Sequence, residues 1–174
     1  SHGFRWVQFE DSVNYAYNTD GRAGYTDHDI YDDTYLENNL FGYQFGSRLA
    51  YCLGNRLNFN LGGKFGVYGN NIEQRPRLGS RLDTATLVAM PDLAIDFESE
   101  ETALATIGEL DLGLGYRVCN SWTVRGGYRV TGVTGIATAD GYSRDYSSTA
   151  NAMAIHATDS LLLHGAYFGT DFNW

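Results

Sequence analysis

Apolar and polar residues alternate one by one over long stretches of this sequence, and this alternation limits the fold more than any other feature. In "LNFNLGGKFGVYG", which begins at Leu57, the odd positions hold only Leu, Phe, Val or Gly, and the even positions hold Asn, Lys, Tyr or Gly. A period of two is typical of a β-strand with one apolar face. The same pattern predicts six strands, at about residues 4–18, 38–53, 56–70, 103–118, 121–136 and 160–174.

The first of these runs is the least regular. Val7, Phe9, Val13 and Tyr15 share one face of the strand with the charged residue Asp11. A charge among apolar neighbours indicates a β-bulge or a shifted register at this point.

The connections between the predicted strands alternate in length. A tight "GN" turn at 54–55 joins the second and third strands, and another tight turn at 119–121 joins the fourth and fifth. The other three connections are long and rich in Asp, Glu, Ser and Thr. They cover residues 19–37, 71–102 and 137–159.

Strand length separates the two all-β folds that such alternation allows. A soluble β-sandwich also has one apolar face per strand, but its strands are shorter and its loops are similar at both ends. A membrane-spanning strand needs about nine to eleven residues, with short turns at one end of the barrel and long loops at the other. We therefore predict an all-β, antiparallel, up-and-down transmembrane β-barrel, with the soluble sandwich as the alternative.

Composition excludes two other classes of protein. The 12 basic residues against 21 acidic ones give a net charge of −9, which argues against a nucleic-acid partner. The sequence has no stretch of about 18 apolar residues, so it is not a helical membrane protein. Its 21 glycines and 13 tyrosines, with only two prolines, suit long uninterrupted strands.

The last residues, "YFGTDFNW", resemble the C-terminal β-signal of bacterial outer-membrane barrels. The residues that carry this resemblance are Tyr167, Gly169, Phe172 and Trp174. It implies that the barrel assembly machinery recognises this strand and that Trp174 anchors the strand at the periplasmic interface.

Two longer segments, "NNLFGYQFGSRLAY" and "LLLHGAYFGTDFNW", are similar to the beta-barrel porin family common in planctomycete bacteria, over about residues 38–174. This resemblance implies a Gram-negative outer-membrane location, contact with outer-membrane lipids and a larger protein. Residues 1–174 would then be a single outer-membrane β-barrel domain, the C-terminal portion of a longer barrel. The resemblance supplies no catalytic residue.

Six strands are too few for a closed single-chain bacterial barrel, which has at least about eight. Open edges do not face lipid, so further strands are required. They could come from an N-terminal part outside this sequence, from several copies in a homo-oligomer, or from an unrecognised hairpin within residues 75–102. The implied larger protein favours the first.

The polar faces of the predicted strands place charged residues in the lumen. Glu109 and Asp111 lie on the strand next to Arg125 and Arg129, so we expect these charges to approach across the ladder. Paired charges would make a rigid closed wall, whereas charges that line water would bias ion passage. The predicted pore-lining residues are Arg48, Lys64, Glu109, Asp111, Arg125 and Arg129.

The two cysteines, Cys52 and Cys119, lack the spacing of a metal site. Their predicted strands lie two ladder spacings apart, roughly 10 Å. This exceeds the usual disulfide reach of about 7 Å between Cα atoms, so a disulfide between them would require the turns to fold inward.

Two other groups of residues could carry chemistry. The carboxylates of "DHDIYDD" at 27–33 could bind Ca²⁺, but they lack the spacing and the glycine of a calcium loop, which favours a solvated acidic surface. Ser160 and His164 lie about 13 Å apart on one strand face, too far to share a proton. We predict no enzyme activity, metal or cofactor.

The sequence leaves three functions open. A porin-like channel for passive diffusion of small solutes or ions is favoured. A non-conducting structural or adhesive surface protein, whose barrel anchors acidic external loops, is the first alternative. A soluble β-sandwich binding module is the second.

Overall fold

The computed structural model describes residues 1–18, 21, 23–87, 90–139, 146 and 148–172. Within this part the chain forms a six-stranded antiparallel sheet and a separate two-stranded sheet. The elements are β1 (His2–Tyr17), β2 (Ile30–Leu53), β3 (Leu57–Gly79), β4 (Thr86–Leu87), β5 (Met90–Ala94), β6 (Ser99–Cys119), β7 (Trp122–Ile136), α1 (Thr149–Ala152) and β8 (Asp159–Phe172).

The large sheet has the strand order β1-β2-β3-β6-β7-β8, and every neighbouring pair is antiparallel. The predicted all-β, up-and-down order is therefore confirmed, and the sheet curls into a half-barrel. In the described residues β1 pairs only with β2 and β8 only with β7, so the sheet has two open edges. No described helix is long and apolar enough to cross a membrane.

Both tight turns lie where the sequence predicts them. Residues 54–56 connect β2 to β3, with Gly54 at φ 86°, a conformation that favours glycine. Residues 120–121 connect β6 to β7, and a register shift between Arg117 and Cys119 precedes this turn.

The predicted strand bounds were too short at the opposite end of the sheet. β2 begins at Ile30 instead of near residue 38, and β3 continues to Gly79 instead of ending near residue 70. Residues 75–102 do contain a hairpin, β4–β5, but it forms its own sheet and adds no strand to the large one.

The predicted irregularity in β1 was also wrong. β1 pairs with β2 in one continuous register from His2 to Tyr17, without a bulge. Asp11 lies among apolar residues because its carboxylate accepts a hydrogen bond from the backbone N–H of Ala139, at 2.9 Å.

The sheet has two halves of opposite polarity. We call the part next to the tight turns the lower half; it comprises residues 2–6, 41–53, 57–67, 108–119, 122–132 and 162–172. Its outer, convex face carries large exposed apolar side chains, namely Phe4, Trp6, Phe41, Tyr43, Phe45, Leu49, Tyr51, Leu53, Phe65, Val67, Leu110, Leu112, Leu114, Tyr116, Trp122, Tyr128, Leu162, Phe168 and Phe172. Apart from Ala50, Cys52 and Leu163, its inner face carries only polar, charged or glycine residues.

The remaining length of the strands, the upper half, reverses this arrangement. Glu37, Glu73 and Glu100 form one row of paired residues on its outer face. Its inner face holds two apolar clusters. One comprises Leu40, Tyr68, Ala105, Ile107, Val133 and Ile136, and the other comprises Leu36, Ile72, Ala137, Ala139 and Ile155.

Glycines on the inner face make room for tyrosine rings from the same strand or from nearby strands. The ring of Tyr68 lies so close to Gly66 that a Cβ on Gly66 would be 2.7 Å from the tyrosine hydroxyl oxygen. The ring of Tyr167 covers Gly127, and its hydroxyl would be 2.8 Å from a Cβ on Gly113. Side chains at these glycines would displace the rings.

We expect Gly127→Ala to lower the free energy of unfolding by about 1–3 kcal/mol, because the added methyl group overlaps the Tyr167 ring. Urea unfolding followed by tryptophan fluorescence measures this change. Gly165→Ala on the neighbouring strand is the matched control, since no atom lies within 4 Å of the added Cβ. Equal destabilisation by the two variants would contradict the packing described here.

Candidate functional site: the inner wall of the lower half

All six residues predicted to line a pore lie on the inner face of the lower half. Lys64 pairs with Glu109, Gly62 pairs with Asp111, and Asp111 pairs with Arg129, which fixes the face of each strand. Arg48 of β2 pairs with Gly62 of β3, and Arg125 of β7 pairs with Gly115 of β6. We call this surface the charged wall; that it lines a pore stays a prediction.

Glu109 lies close enough to Arg129 of β7 to interact with it electrostatically, but its ion pairs are with β1 and β3. Its Oε2 atom accepts a hydrogen bond from Lys64 Nζ at 3.2 Å, and its Oε1 atom pairs with Arg5 Nη1. Glu109 therefore bridges β1 and β3 from its position on β6. Arg5 was missed because the first strand gave an irregular pattern, although its position has the same parity as Val7.

Asp111 confirms the predicted approach of charges between β6 and β7. Its Oδ2 atom accepts a hydrogen bond from Arg129 Nε at 2.8 Å and forms an ion pair with Arg129 Nη2, also at 2.8 Å. Its Oδ1 atom accepts a hydrogen bond from the Tyr167 hydroxyl at 2.9 Å. The carboxylate thus connects β6 to β7 and β8.

Of the two remaining arginines of the charged wall, one forms an ion pair and the other does not. Arg125 pairs with Asp171 of β8, with 3.1 Å between Nη2 and Oδ1. Arg48 makes no ion pair with any described residue, and its side chain is exposed. Two adjoining recesses, of about 400 and 470 Å³, share Arg48, Asp111 and Arg129 as lining residues.

Above the charged wall, the chain after β7 folds inward across the sheet. We call residues 137–139 the strap. The side-chain amide of Asn38, which is buried, donates to the carbonyl of Ala137 at 2.8 Å and accepts from its N–H at 2.9 Å. Asp11 holds Ala139, and Asp159 accepts hydrogen bonds from the N–H and hydroxyl of Thr138.

The strap is therefore tied to β1, β2 and β8 at once, and its alanines pack on Leu36 and Ile72. No pattern in the sequence indicates the strap. A single asparagine within a strand resembles any other polar position, and only the fold brings it to a backbone about a hundred residues away.

The residues of the predicted insertion signal lie on both faces of β8. Tyr167 and Gly169 are on the inner face, opposite Gly127 and Arg125. Phe172 is on the outer face, where its ring stacks on Trp122 with 5.7 Å between centroids. Trp174 lies outside the described residues. Recognition of this strand during assembly stays a prediction.

The disulfide considered between Cys52 and Cys119 is not formed. Both are exposed free thiols. Cys52 is on β2 and Cys119 is on β6, and β3 separates these strands.

The acidic segment at 27–33 is only partly the solvated surface that was predicted. Asp29 and Asp32 are 1% and 3% exposed. The Asp29 carboxylate accepts hydrogen bonds from the N–H and hydroxyl of Thr26, and Asp32 accepts one from the Tyr146 hydroxyl. Asp29 therefore stabilises the local turn before β2, whereas Asp32 connects β2 to Tyr146.

Ser160 and His164 both lie on the outer face of β8, opposite Thr134 and Val130. The ring of His164 forms a hydrogen bond with the hydroxyl of Tyr128. The two residues do not contribute to the charged wall.

Comparison with protein families, with curated proteins and with solved structures found no match for this chain.

We expect Asn38→Ala to lower the free energy of unfolding by about 1–3 kcal/mol, because it leaves the buried N–H and carbonyl of Ala137 without partners. Asn71→Ala is the control, since Asn71 is exposed on the outer face and its replacement should change stability by less than about 0.5 kcal/mol. The urea concentrations at the midpoints of unfolding compare the stability of the two variants. Equal midpoints for the two variants would show that the strap contributes nothing to stability.

Proposed function

We propose that the lower half is the membrane-spanning wall of a bacterial outer-membrane β-barrel, and that this barrel is a porin-like channel for passive diffusion of small solutes or ions. The main support for the proposal is the distribution of apolar and polar residues over the two faces of the lower half. Its outer face is apolar and exposed, and its inner face is polar and charged.

Lipid is the environment that suits the outer face. Phe168, Phe4 and Leu49 are 78%, 74% and 65% exposed, and they belong to an apolar surface that covers six strands. Soluble monomers rarely expose a contiguous apolar patch above a few hundred Å². A second sheet packed as in a β-sandwich would not suit both halves, because the apolar residues lie on the outer face of the lower half and on the inner face of the upper half.

The height of the apolar surface fits an outer membrane. Residues 41–53 extend about 40 Å along β2 at about 3.3 Å per residue. With the strand tilted by about 45°, this corresponds to about 28 Å, close to the apolar band of about 25 Å on outer-membrane barrels.

Aromatic residues lie near both limits of this surface. Trp122 and Phe172 are at the end with the tight turns, whereas Trp6 and Phe41 are at the boundary with the polar upper half. Aromatic side chains concentrate at the two interfaces of membrane proteins. The C-terminal residues add a further argument, since "YFGTDFNW" resembles the signal that the barrel assembly machinery reads.

A complete barrel needs more strands than the six described. The open edges of β1 and β8 would leave backbone N–H and C=O groups unpaired in lipid, which is very unfavourable. Further strands from a longer chain, as the resemblance to beta-barrel porins implies, or from other copies of this chain would complete the wall.

A non-conducting surface anchor is the second candidate, and the upper half favours it. There the inner face is filled by apolar clusters and by the strap, which narrows the space above the charged wall. In this alternative the barrel would hold the acidic outer surface in place without passing solutes.

We expect Leu112→Arg to reduce folding into lipid vesicles by about 2–4 kcal/mol, because it places a charge at the lipid face. Val124→Arg should behave in the same way. Asn60→Arg, on the inner face of the neighbouring strand, is the matched control and should fold nearly as well as the native chain. The folded fraction is read on a cold SDS gel, and equal tolerance at both faces would reject the proposed orientation.

Conductance across a planar lipid bilayer separates the two functions. Protein extracted from outer membranes in mild detergent should produce stepwise conductance if it is a channel, and a boiled sample should produce none. Protein that inserts and shows a heat-dependent gel shift, yet conducts no ions, would overturn the channel and support the anchor.

A further inference from the structure

We infer that the charged wall selects for small anions, so that phosphate-like or carboxylate solutes are the class that the channel passes. This inference rests on the proposed channel function and adds the charge of its solutes. It depends on the balance of charge on the inner face of the lower half.

Basic residues outnumber acidic ones on this face. The basic residues are Arg5, Arg48, Lys64, Arg117, Arg125 and Arg129, and the acidic residues are Glu109, Asp111 and Asp171. The wall therefore has an excess of positive charge, although the whole chain has a net charge of −9.

Each carboxylate of the wall already has a cationic partner. Glu109 is shared by Arg5 and Lys64, Asp111 is bound by Arg129, and Asp171 is bound by Arg125. No acidic side chain of the described wall is therefore left to attract a cation. The excess of three positive charges belongs to Arg48 and Arg117, which have no ion pair with a described residue, and to Arg5 and Lys64, which share the single carboxylate of Glu109.

Arg48 is better placed than Arg117. Its side chain is exposed and lines both recesses. The Arg48 Nε atom is 3.8 Å from the position that a Cβ on Gly62 would occupy, so a larger residue there would crowd the guanidinium group. An exposed guanidinium with free N–H groups binds oxyanions with two parallel hydrogen bonds.

The acidic surface of the upper half does not reverse this preference. Glu37 lies on the outer face, about 36 Å along β2 from Arg48 at about 3.3 Å per residue. Charges separated by more than about 8 Å are largely screened at physiological ionic strength. The local charge of the wall therefore decides which ions are favoured.

The reversal potential of the reconstituted protein in a tenfold KCl gradient tests this inference. The native protein should be more permeable to chloride than to potassium. Arg48→Glu should lower the chloride-to-potassium permeability ratio severalfold, Arg48→Gln should lower it less, and Arg48→Lys should retain it. Arg75→Gln, on the outer face of the upper half, is the control and should leave the ratio unchanged.

The outcomes separate this inference from the channel itself. Conductance with a preference for potassium, or a ratio that Arg48→Glu and Arg48→Gln both leave unchanged, would overturn the anion preference and leave the channel in place. Inserted protein without conductance would overturn both. A heat-dependent gel shift checks that each variant is folded. If Arg48→Glu does not insert, the permeability ratio of Arg48→Gln is compared with that of the native protein instead.

Discussion

The antiparallel register of six long strands, which shifts only near the ends of β6 and β7, is the constraint on which the rest of the described molecule depends. Successive side chains of a paired strand point to opposite faces, so a slip of one residue would exchange the whole inner and outer sets. The pairing of Lys64 with Glu109 and of Asp111 with Arg129 fixes this register across β3, β6 and β7. The apolar surface and the charged wall are two consequences of the same ladder.

The two halves of the sheet depend on different sources of stability. The upper half buries apolar side chains on its inner face and adds the strap, whose hydrogen bonds to Asn38 are made away from water. The lower half buries little of its apolar surface within the described chain, so its strands rely on backbone pairing, on ion pairs and on the surroundings of the outer face. This division agrees with the proposed membrane barrel, in which the lower half would lie in lipid and the upper half in water.

The sequence predicted the lower half well and the upper half poorly, for a physical reason. In residues 41–53 and 57–67 large apolar residues occupy almost every second position, and polar or small residues lie between them, so strands, faces and turns could all be assigned. In the upper half the inner face also holds Asn38, Asn70 and Gln74, which are polar and fully buried, and the alternation is lost. The partners of Glu109 and the strap depend on contacts between distant strands, which a local pattern does not contain.

The reversal of polarity along one strand is the central claim, and cysteine labelling along β6 tests it most directly. Single cysteines at residues 100, 105, 112 and 115, with Cys52 and Cys119 replaced by serine, would be exposed to a water-soluble maleimide after reconstitution in lipid vesicles. We predict rapid labelling of Glu100→Cys on the upper outer face and of Gly115→Cys on the lower inner face, with Ala105→Cys and Leu112→Cys protected. Labelling of Leu112→Cys as fast as Glu100→Cys would place the lower outer face in water and contradict the account.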